Sequence, residues 1–150
     1  MKIRKANKKD LKEIAKLMKK ELAKPPFNER DSSSYILKSL NFYIKIGKIY
    51  AVKEKNEIIG VIIFKREQYW EGPVIIIEDL AVNKKFQKLN IGKTLMDYVE
   101  SLAKKEKVNA ICFKTNKKSR AVKFYQKSGY CLDKNSVFMI KNLNYKQKKK

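Results

Sequence analysis

The sequence contains no histidine and only two cysteines among its 150 residues. Cys112 and Cys131 lack the spacing of metal ligands, and without histidine a zinc site would have few nitrogen or sulfur ligands to draw on. We therefore expect no metal site. Both cysteines are interpreted as reduced and structural.

Arginine is also scarce, since it accounts for four of the 37 basic residues. Bidentate reading of guanine favours arginine, so this composition argues against sequence-specific DNA recognition. The lysines nevertheless give a formal net charge of +22, which attracts polyanions over long distances. Two interpretations stay open: non-specific polyanion binding, or a lysine-rich composition that reflects the source organism.

Long hydrophobic runs are absent as well. The longest, around Ile58 to Phe64 and Val74 to Ile77, are far too short to cross a bilayer, so no membrane association is expected. The N-terminal residues pass directly into a lysine-rich amphipathic pattern without the apolar core of a secretory signal. We therefore expect a cytoplasmic protein.

Hydrophobic residues are plentiful, at 43% of the chain with seven Phe and eight Tyr. This content and length predict one domain over residues 1–145 with a single core. The lysine-rich residues 146–150 are expected to form a basic disordered tail.

Periodicity and turn residues predict an α/β (α+β) fold of mixed strands and helices. A short strand at the N-terminus precedes two amphipathic helices, one ending at Pro25 and one at Gly47. The later predicted strands are 49–53, 58–66 with a bulge at Gly60, 74–82, 109–114, 130–132 and 137–143, and the later helices begin near 91 and 119.

The most informative segment runs from Ile77 to Thr94, where a strand leads into a tight loop and then a helix. This arrangement directs several backbone N–H groups and the positive end of the helix dipole at one spot, which suits a phosphate or pyrophosphate. Lys88 and Lys93 add positive charge nearby. Many strand-loop-helix units bind nothing, so the geometry alone is weakly specific.

This segment resembles the central motif of the GNAT superfamily of acyl-CoA N-acyltransferases, with Gln87, Asn90 and Gly92 at the motif positions. Asn90 replaces the first glycine of the family pattern, and asparagine tolerates the left-handed backbone conformation better than other non-glycine residues. The segment 120–130 resembles the family's late helix, with its Phe-Tyr pair and Gly-aromatic turn. The order of predicted elements is also that of the family.

The resemblance implies a central, mostly antiparallel sheet of six to seven strands with about four helices, splayed at the coenzyme site. It also implies acetyl-CoA as the cosubstrate. The residues expected to bind the coenzyme are Leu80, Ala81, Val82, Gln87, Lys88, Leu89, Asn90, Ile91, Gly92, Lys93, Thr94, Asn116 and Tyr125. Leu80 and Val82 are equally compatible with ordinary core positions, because the implied contact is made by their backbone.

The resemblance further implies the catalytic groups. Tyr125 is the candidate general acid, with a buried structural tyrosine as the alternative. Glu78 is the candidate base, and strand alternation predicts that Asp79 points to the opposite face. The backbone N–H of Leu80 is the simplest donor to the developing oxyanion.

These features predict an N-acetyltransferase that moves acetyl from acetyl-CoA to a primary amine of a protein or small molecule, by direct attack in a ternary complex. The alternative is a basic nucleic-acid-associated binding module without catalysis. The aromatic residues near Pro25 to Phe27 and at Tyr69 and Trp70 suit a substrate cleft, the core or a homodimer contact equally well.

Overall fold

The computed structural model describes residues 1–143, and the predicted tail at 146–150 lies outside them. The chain forms two compact units, residues 1–114 and a second unit that begins at Thr115. Each unit is described by itself. The predicted single domain over 1–145 stays a prediction.

The first unit contains a five-stranded sheet in the order β1-β2-β3-β4-β5. Neighbouring strands are antiparallel except β4 and β5, which are parallel. Its elements are β1 (Lys2–Lys5), α1 (Leu11–Leu22), α2 (Ser33–Ile46), β2 (Lys48–Glu54), β3 (Glu57–Tyr69), β4 (Gly72–Val82), α3 (Ile91–Lys105) and β5 (Ala110–Phe113). Short 3₁₀ helices at Lys8–Asp10 and Lys84–Leu89 precede α1 and α3.

The two predicted N-terminal helices are confirmed, and polar caps explain where they begin. Asn7 and Asp10 form a reciprocal capping box before α1. The side chain of Ser32 accepts a hydrogen bond from the Tyr35 N–H at the start of α2. Apolar residues of both helices then pack in one cluster with Val61 of β3 and Ala81 of β4.

The other face of the sheet is covered by α3. Gly60 of β3 faces Ile91 and Leu95 of this helix, whereas the next residue, Val61, belongs to the α1/α2 cluster. Strand β3 is therefore buried on both faces from Ile58 to Phe64. The predicted bulge near Gly60 is present, because Val52 and Lys53 pair with Gly60 and Ile58 and leave Ile59 as the extra residue.

The second unit contains α4 (Ala121–Lys127), which confirms the late helix predicted from the sequence. Gly129 has the left-handed φ of 89° expected of the residue after a helix. The Tyr130 N–H donates to the Tyr125 carbonyl at 3.1 Å and closes the turn.

The predicted final hairpin at 130–132 and 137–143 is wrong for the described residues, which contain no strand after Phe113. Between the two predicted strands the Asp133 carboxylate accepts from the Asn135 N–H at 2.8 Å, a local contact that does not pair them. Alternating apolar residues suit a strand only where a partner edge pairs with them, and that pairing is not a local property of the sequence. The fold class is confirmed, with five strands among residues 1–143 instead of six to seven.

Candidate functional site

One edge of β4 lies open beyond the point where β5 ends. β5 pairs only with Val74 to Ile77, whereas β4 continues to Val82. The Asn83 N–H donates to the Ile59 carbonyl of β3 at 2.8 Å, so antiparallel alternation turns the backbone groups of Leu80 and Val82 away from β3. No strand within residues 1–143 pairs with β4 on that side, which confirms the predicted separation of the two strands.

A β-bulge interrupts β4 at its acidic residues. Phe64 pairs with Ile77 and Ile63 pairs with Asp79, so Glu78 is the extra residue. Asp79 faces the α1/α2 side with Ile63, and Glu78 reaches Tyr43 of α2 on that same side. The expectation that Glu78 and Asp79 point to opposite faces is wrong, because the bulge breaks the strand alternation.

Glu78 is held by two neighbours. Its Oε2 accepts from the Tyr43 hydroxyl at 3.3 Å, and its Oε1 lies 3.0 Å from Lys65 Nζ. Lys65 also pairs with Glu67 at 2.8 Å, and hydrogen bonds from its ammonium to Glu67 and Glu78 raise the pKa of Lys65. Burial, followed by the charge of Glu78, raises the pKa of Tyr43, which keeps this phenol protonated as a donor.

Asp79 was not among the predicted catalytic residues, because Glu78 was favoured as the base. Burial, followed by the charges of Glu29 and Glu78, raises the pKa of Asp79 to about 7. The carboxyl groups of Glu78 and Asp79 lie on one face, but Glu78 contacts Tyr43 and Lys65, whereas Asp79 is buried. Asp79 therefore changes its charge near neutral pH. The only sequence signal was its position beside Glu78, since the bulge that brings the two together depends on pairing with β3.

The turn after β4 is fixed by buried polar contacts that the sequence did not predict. Asn83 is buried, accepts from the Lys85 N–H at 3.1 Å and donates to Glu57 at 3.2 Å. Glu21 of α1 is also buried and accepts from the Lys84 N–H at 3.3 Å. These contacts set the direction in which the chain leaves the sheet.

Asn90 lies at the junction of this turn with α3 and has a left-handed φ of 57°, as predicted. Its side chain does not cap the helix, so the first-turn N–H groups, beginning with Ile91 and Gly92, keep their capacity to bind an anion. The Thr94 hydroxyl donates instead to the Asn90 carbonyl at 3.0 Å.

The other predicted coenzyme residues of the first unit differ in burial and in their hydrogen-bond partners. Gln87 Nε2 donates to the Val82 carbonyl at 3.1 Å, so this side chain ties the turn to the open edge of β4. Lys88 and Leu89 are exposed, and Lys93 Nζ lies 2.6 Å from Asp97 on α3. Ala81 and Ile91 are buried, so any ligand contact of theirs involves the backbone.

Two predicted site residues belong to the second unit. Asn116 Oδ1 accepts from the Lys118 N–H at 2.9 Å within its own loop. The half-buried Tyr125 ring packs edge-on against Phe124, with centroids 5.1 Å apart, and against Tyr130 at 6.1 Å. The roles of Asn116 and Tyr125 stay predictions.

Within residues 1–143 no cluster of three or more Cys, Asp or Glu residues could hold a metal ion. In the same part of the chain, no helix is long and apolar enough to cross a membrane.

A family model described as "Acetyltransferase (GNAT) family" matches residues 14–130. No curated protein sequence matches the chain. Among solved structures, a possible acetyltransferase from Clostridium difficile 630 is 19% identical with a TM-score of 0.84, and the match covers 95% of this chain and 97% of that one.

Two further solved structures share the fold. A ribosomal-protein-alanine N-acetyltransferase from Brucella melitensis biovar Abortus 2308 is 14% identical with a TM-score of 0.77, over 95% of this chain and 100% of that one. AAC(6')-Iy, in complex with the bisubstrate analog CoA-S-monomethyl-acetylneamine, is 17% identical with a TM-score of 0.75, over 94% and 97% of the two chains.

Proposed function

Because the chain belongs to the acetyltransferase (GNAT) family, we propose that it transfers acetyl from acetyl-CoA to a primary amine by direct attack within a ternary complex. The single observation that carries this proposal is the continuity between the open edge of β4 and the uncapped start of α3. The first offers backbone hydrogen bonds to an extended amide-bearing chain, and the second offers N–H groups to a diphosphate.

The residues fit coenzyme A in that order along the chain. Leu80 and Val82 present backbone groups suited to the two amides of the pantetheine arm. The turn from Gln87 to Asn90 and the first turn of α3, up to Thr94, would hold the diphosphate, with Lys88 and Lys93 adding charge. Acetyl-CoA would supply the activated thioester.

The protein's own groups then transfer the protons of the reaction and stabilise the negative charge that develops on the thioester. The Glu78–Asp79 pair accepts the proton of the substrate ammonium, with Glu78 fixed by its neighbours and Asp79 changing charge near neutral pH. The Leu80 N–H stabilises the negative charge that develops on the thioester oxygen. When the neutral amine has attacked and the C–S bond breaks, Tyr125 of the second unit donates a proton to the departing thiolate, the role that its motif position implied, and the proton that the nitrogen loses as the amide forms restores the phenol.

The acceptor is proposed to be an amine of a peptide or protein. The net charge of +22 repels free polyamines and attracts acidic partners. The names of two fold neighbours refer to a ribosomal-protein alanine and to the bisubstrate analog CoA-S-monomethyl-acetylneamine, so both macromolecular and small amines belong in an acceptor screen. A cytoplasmic location and a homodimer stay predictions.

Calorimetry with acetyl-CoA tests the coenzyme site. We expect saturable binding, weakened when acetyl-pantetheine, which lacks the nucleotide and diphosphate, replaces acetyl-CoA. Absence of heat at millimolar acetyl-CoA would contradict the proposal. If duplex DNA still bound under those conditions, with a steep salt dependence, the nucleic-acid-binding alternative would be favoured.

Mass spectrometry then identifies the acceptor class. The screen incubates the enzyme and acetyl-CoA with peptides, polyamines or aminoglycosides. We expect an accepted substrate to gain the mass of one acetyl group on a primary amine, and the other compounds to keep their mass. If the enzyme binds acetyl-CoA yet acetylates only peptides, the peptide acceptor is supported. Acetylation of polyamines alone would contradict it.

A further inference from the structure

A groove with a volume of about 620 Å³ lies between α1 and α2. Its lining residues are Lys12, Ala15, Lys16, Lys19, Lys20, Ala23, Ser33, Ser34 and Leu37. None of them belongs to the coenzyme turn or to the Glu78–Asp79 pair. The groove is therefore a separate feature, with a volume in the range of pockets that hold small ligands or a few peptide side chains.

The rim of the groove is strongly cationic. Lys12, Lys16 and Lys20 recur every fourth residue of α1, so they form one row at steps of about 6 Å along the helix. The ion pairs found within residues 1–143 include none of these three residues and not Lys19, whose Nζ donates to the Ser33 hydroxyl at 3.0 Å. The rim thus has unneutralised charge to offer to an anionic ligand.

The floor of the groove is small and apolar, with contributions from Ala15, Ala23 and Leu37. The residues that line it include no aromatic ring on which a nucleic-acid base could stack and no arginine that could bind phosphate in a bidentate manner. An apolar floor between lysines instead complements a ligand that carries carboxylates on both sides of an apolar side chain.

We propose that this α1/α2 groove docks an acidic, amphipathic peptide segment of a partner protein. Its carboxylates pair with the lysine row, and its apolar side chains cover Ala23 and Leu37. This interaction goes beyond acetyl transfer and does not depend on it, because no residue of the groove has a role in the proposed chemistry.

Fluorescence anisotropy with a labelled peptide of repeated Glu-Glu-Leu-Ala units tests the proposal at physiological salt. The groove variant is Lys16→Ala/Lys20→Ala. The control variant, Lys104→Ala/Lys105→Ala, removes the same charge from exposed positions at the end of α3. We expect the groove variant to bind at least about tenfold more weakly than the wild type, and the control to change by less than about twofold.

Three outcomes would overturn the proposal. Equal losses in the two variants would mean that net charge alone attracts the peptide. Undiminished binding of a Gln-Gln-Leu-Ala repeat peptide would remove the role of the carboxylates. The third outcome is that a short DNA duplex displaces the peptide from the wild type, and that the groove variant weakens DNA binding more than it weakens peptide binding. That result would assign the groove to nucleic acid.

Discussion

A Cβ atom on Gly60 would lie 2.7 Å from Cγ2 of Ile91, the first residue of α3. Real Cβ atoms do not approach so closely, so α3 reaches β3 at this point because residue 60 has no side chain. The contact connects the core of the sheet with the candidate anion site, since Ile91 is buried against Gly60 while its N–H belongs to the uncapped first turn.

Gly60→Ala should therefore weaken coenzyme binding. The added methyl group meets Ile91 Cγ2 and, at 3.3 Å, Leu95 Cδ1, which displaces the start of α3 from the turn. Overpacking of this kind destabilises proteins by about 1–3 kcal/mol, and we expect acetyl-CoA affinity to fall by about tenfold. Calorimetry and thermal unfolding measure the two effects.

The double variant Gly60→Ala/Ile91→Ala is the control for the steric explanation. Removing Cγ2 of Ile91 relieves the clash, so the free energies of unfolding should be non-additive, with the double variant more stable than the sum of the single losses predicts. If the free energies of unfolding were strictly additive, the steric explanation would be wrong. If Gly60→Ala left the affinity for acetyl-CoA unchanged, this contact would have no influence on the coenzyme site.

The strand-loop-helix unit could be predicted from the sequence because its signals are local. A β-branched run indicated β4, an apolar stripe indicated α3, and the tolerance of asparagine for positive φ indicated the conformation of Asn90. Each of these properties is decided by a few neighbouring residues. The positive φ of Gly129 after α4 is decided locally in the same way, because glycine adopts it without steric cost.

The orientation of Asp79 could not be predicted, because it depends on where β3 and β4 pair. The extra residue at Glu78 has no marker of its own in the sequence, and strand alternation gave the wrong face. The same reason applies to the late hairpin, where residues 137–143 have no strand partner within the described chain.

Asp79→Asn should abolish the pH dependence that the buried carboxyl imposes on the rate. With a pKa of about 7, Asp79 is protonated in acid and gains its ability to accept a proton as the pH rises through 7. We expect kcat/KM of the wild type to rise over this range. Loss of a general base lowers rates by about 10²–10⁴-fold, and a pH–rate profile of the variant measures both effects.

Glu78→Gln is the matched comparison, since it also removes one carboxylate from the same face. If Asp79 carries the proton, Glu78→Gln should retain a rising limb, shifted to lower pH because a neighbouring negative charge is gone. A profile that loses its rising limb in Glu78→Gln and keeps it in Asp79→Asn would assign the proton to Glu78.

The stability of the same variant gives a second measurement of Asp79. Its folded-state pKa is raised from 3.8 to about 7, so the stability associated with its proton is present below about pH 3.8 and is lost as the pH rises through 7. Asp79→Asn has no carboxyl group to ionise, so it does not lose this stability as the pH rises. We expect the variant to gain stability relative to the wild type at pH 8, measured by urea unfolding, and the gain to disappear at pH 4.

Tyr125→Phe should lower kcat by about 10²-fold while the KM for acetyl-CoA changes little, since only proton donation to the thiolate is removed. Tyr130→Phe is the control, because its ring lies 6.1 Å from that of Tyr125 and the change removes one hydroxyl from the same aromatic group. Steady-state kinetics measures both variants. An equal fall in the two, or no fall in Tyr125→Phe at any pH, would exclude the acid role.

The Arg4–Asp10 pair should make the first unit sensitive to strong acid. Both oxygens of Asp10 accept from the Arg4 guanidinium, at 2.6 and 2.8 Å, and Oδ2 also accepts from the Asn7 N–H at 2.8 Å. The hydrogen bond from Arg4 is the main cause that lowers the pKa of Asp10 to about 2. A lowered pKa stabilises the fold above pH 3.8, and this stability is lost as the pH falls through 2.

Asp10→Asn should therefore destabilise the protein at pH 7 by about 1–2 kcal/mol, since Arg4 is partly exposed and solvent screens the pair. The difference from the wild type, measured by urea unfolding, should shrink as the pH falls towards 2. Asp97→Asn, which removes an exposed partner of Lys93, serves as the control and should change stability by less than about 0.5 kcal/mol. A loss in Asp10→Asn that stays constant with pH would mean that the capping box, and not the ion pair, stabilises the start of α1.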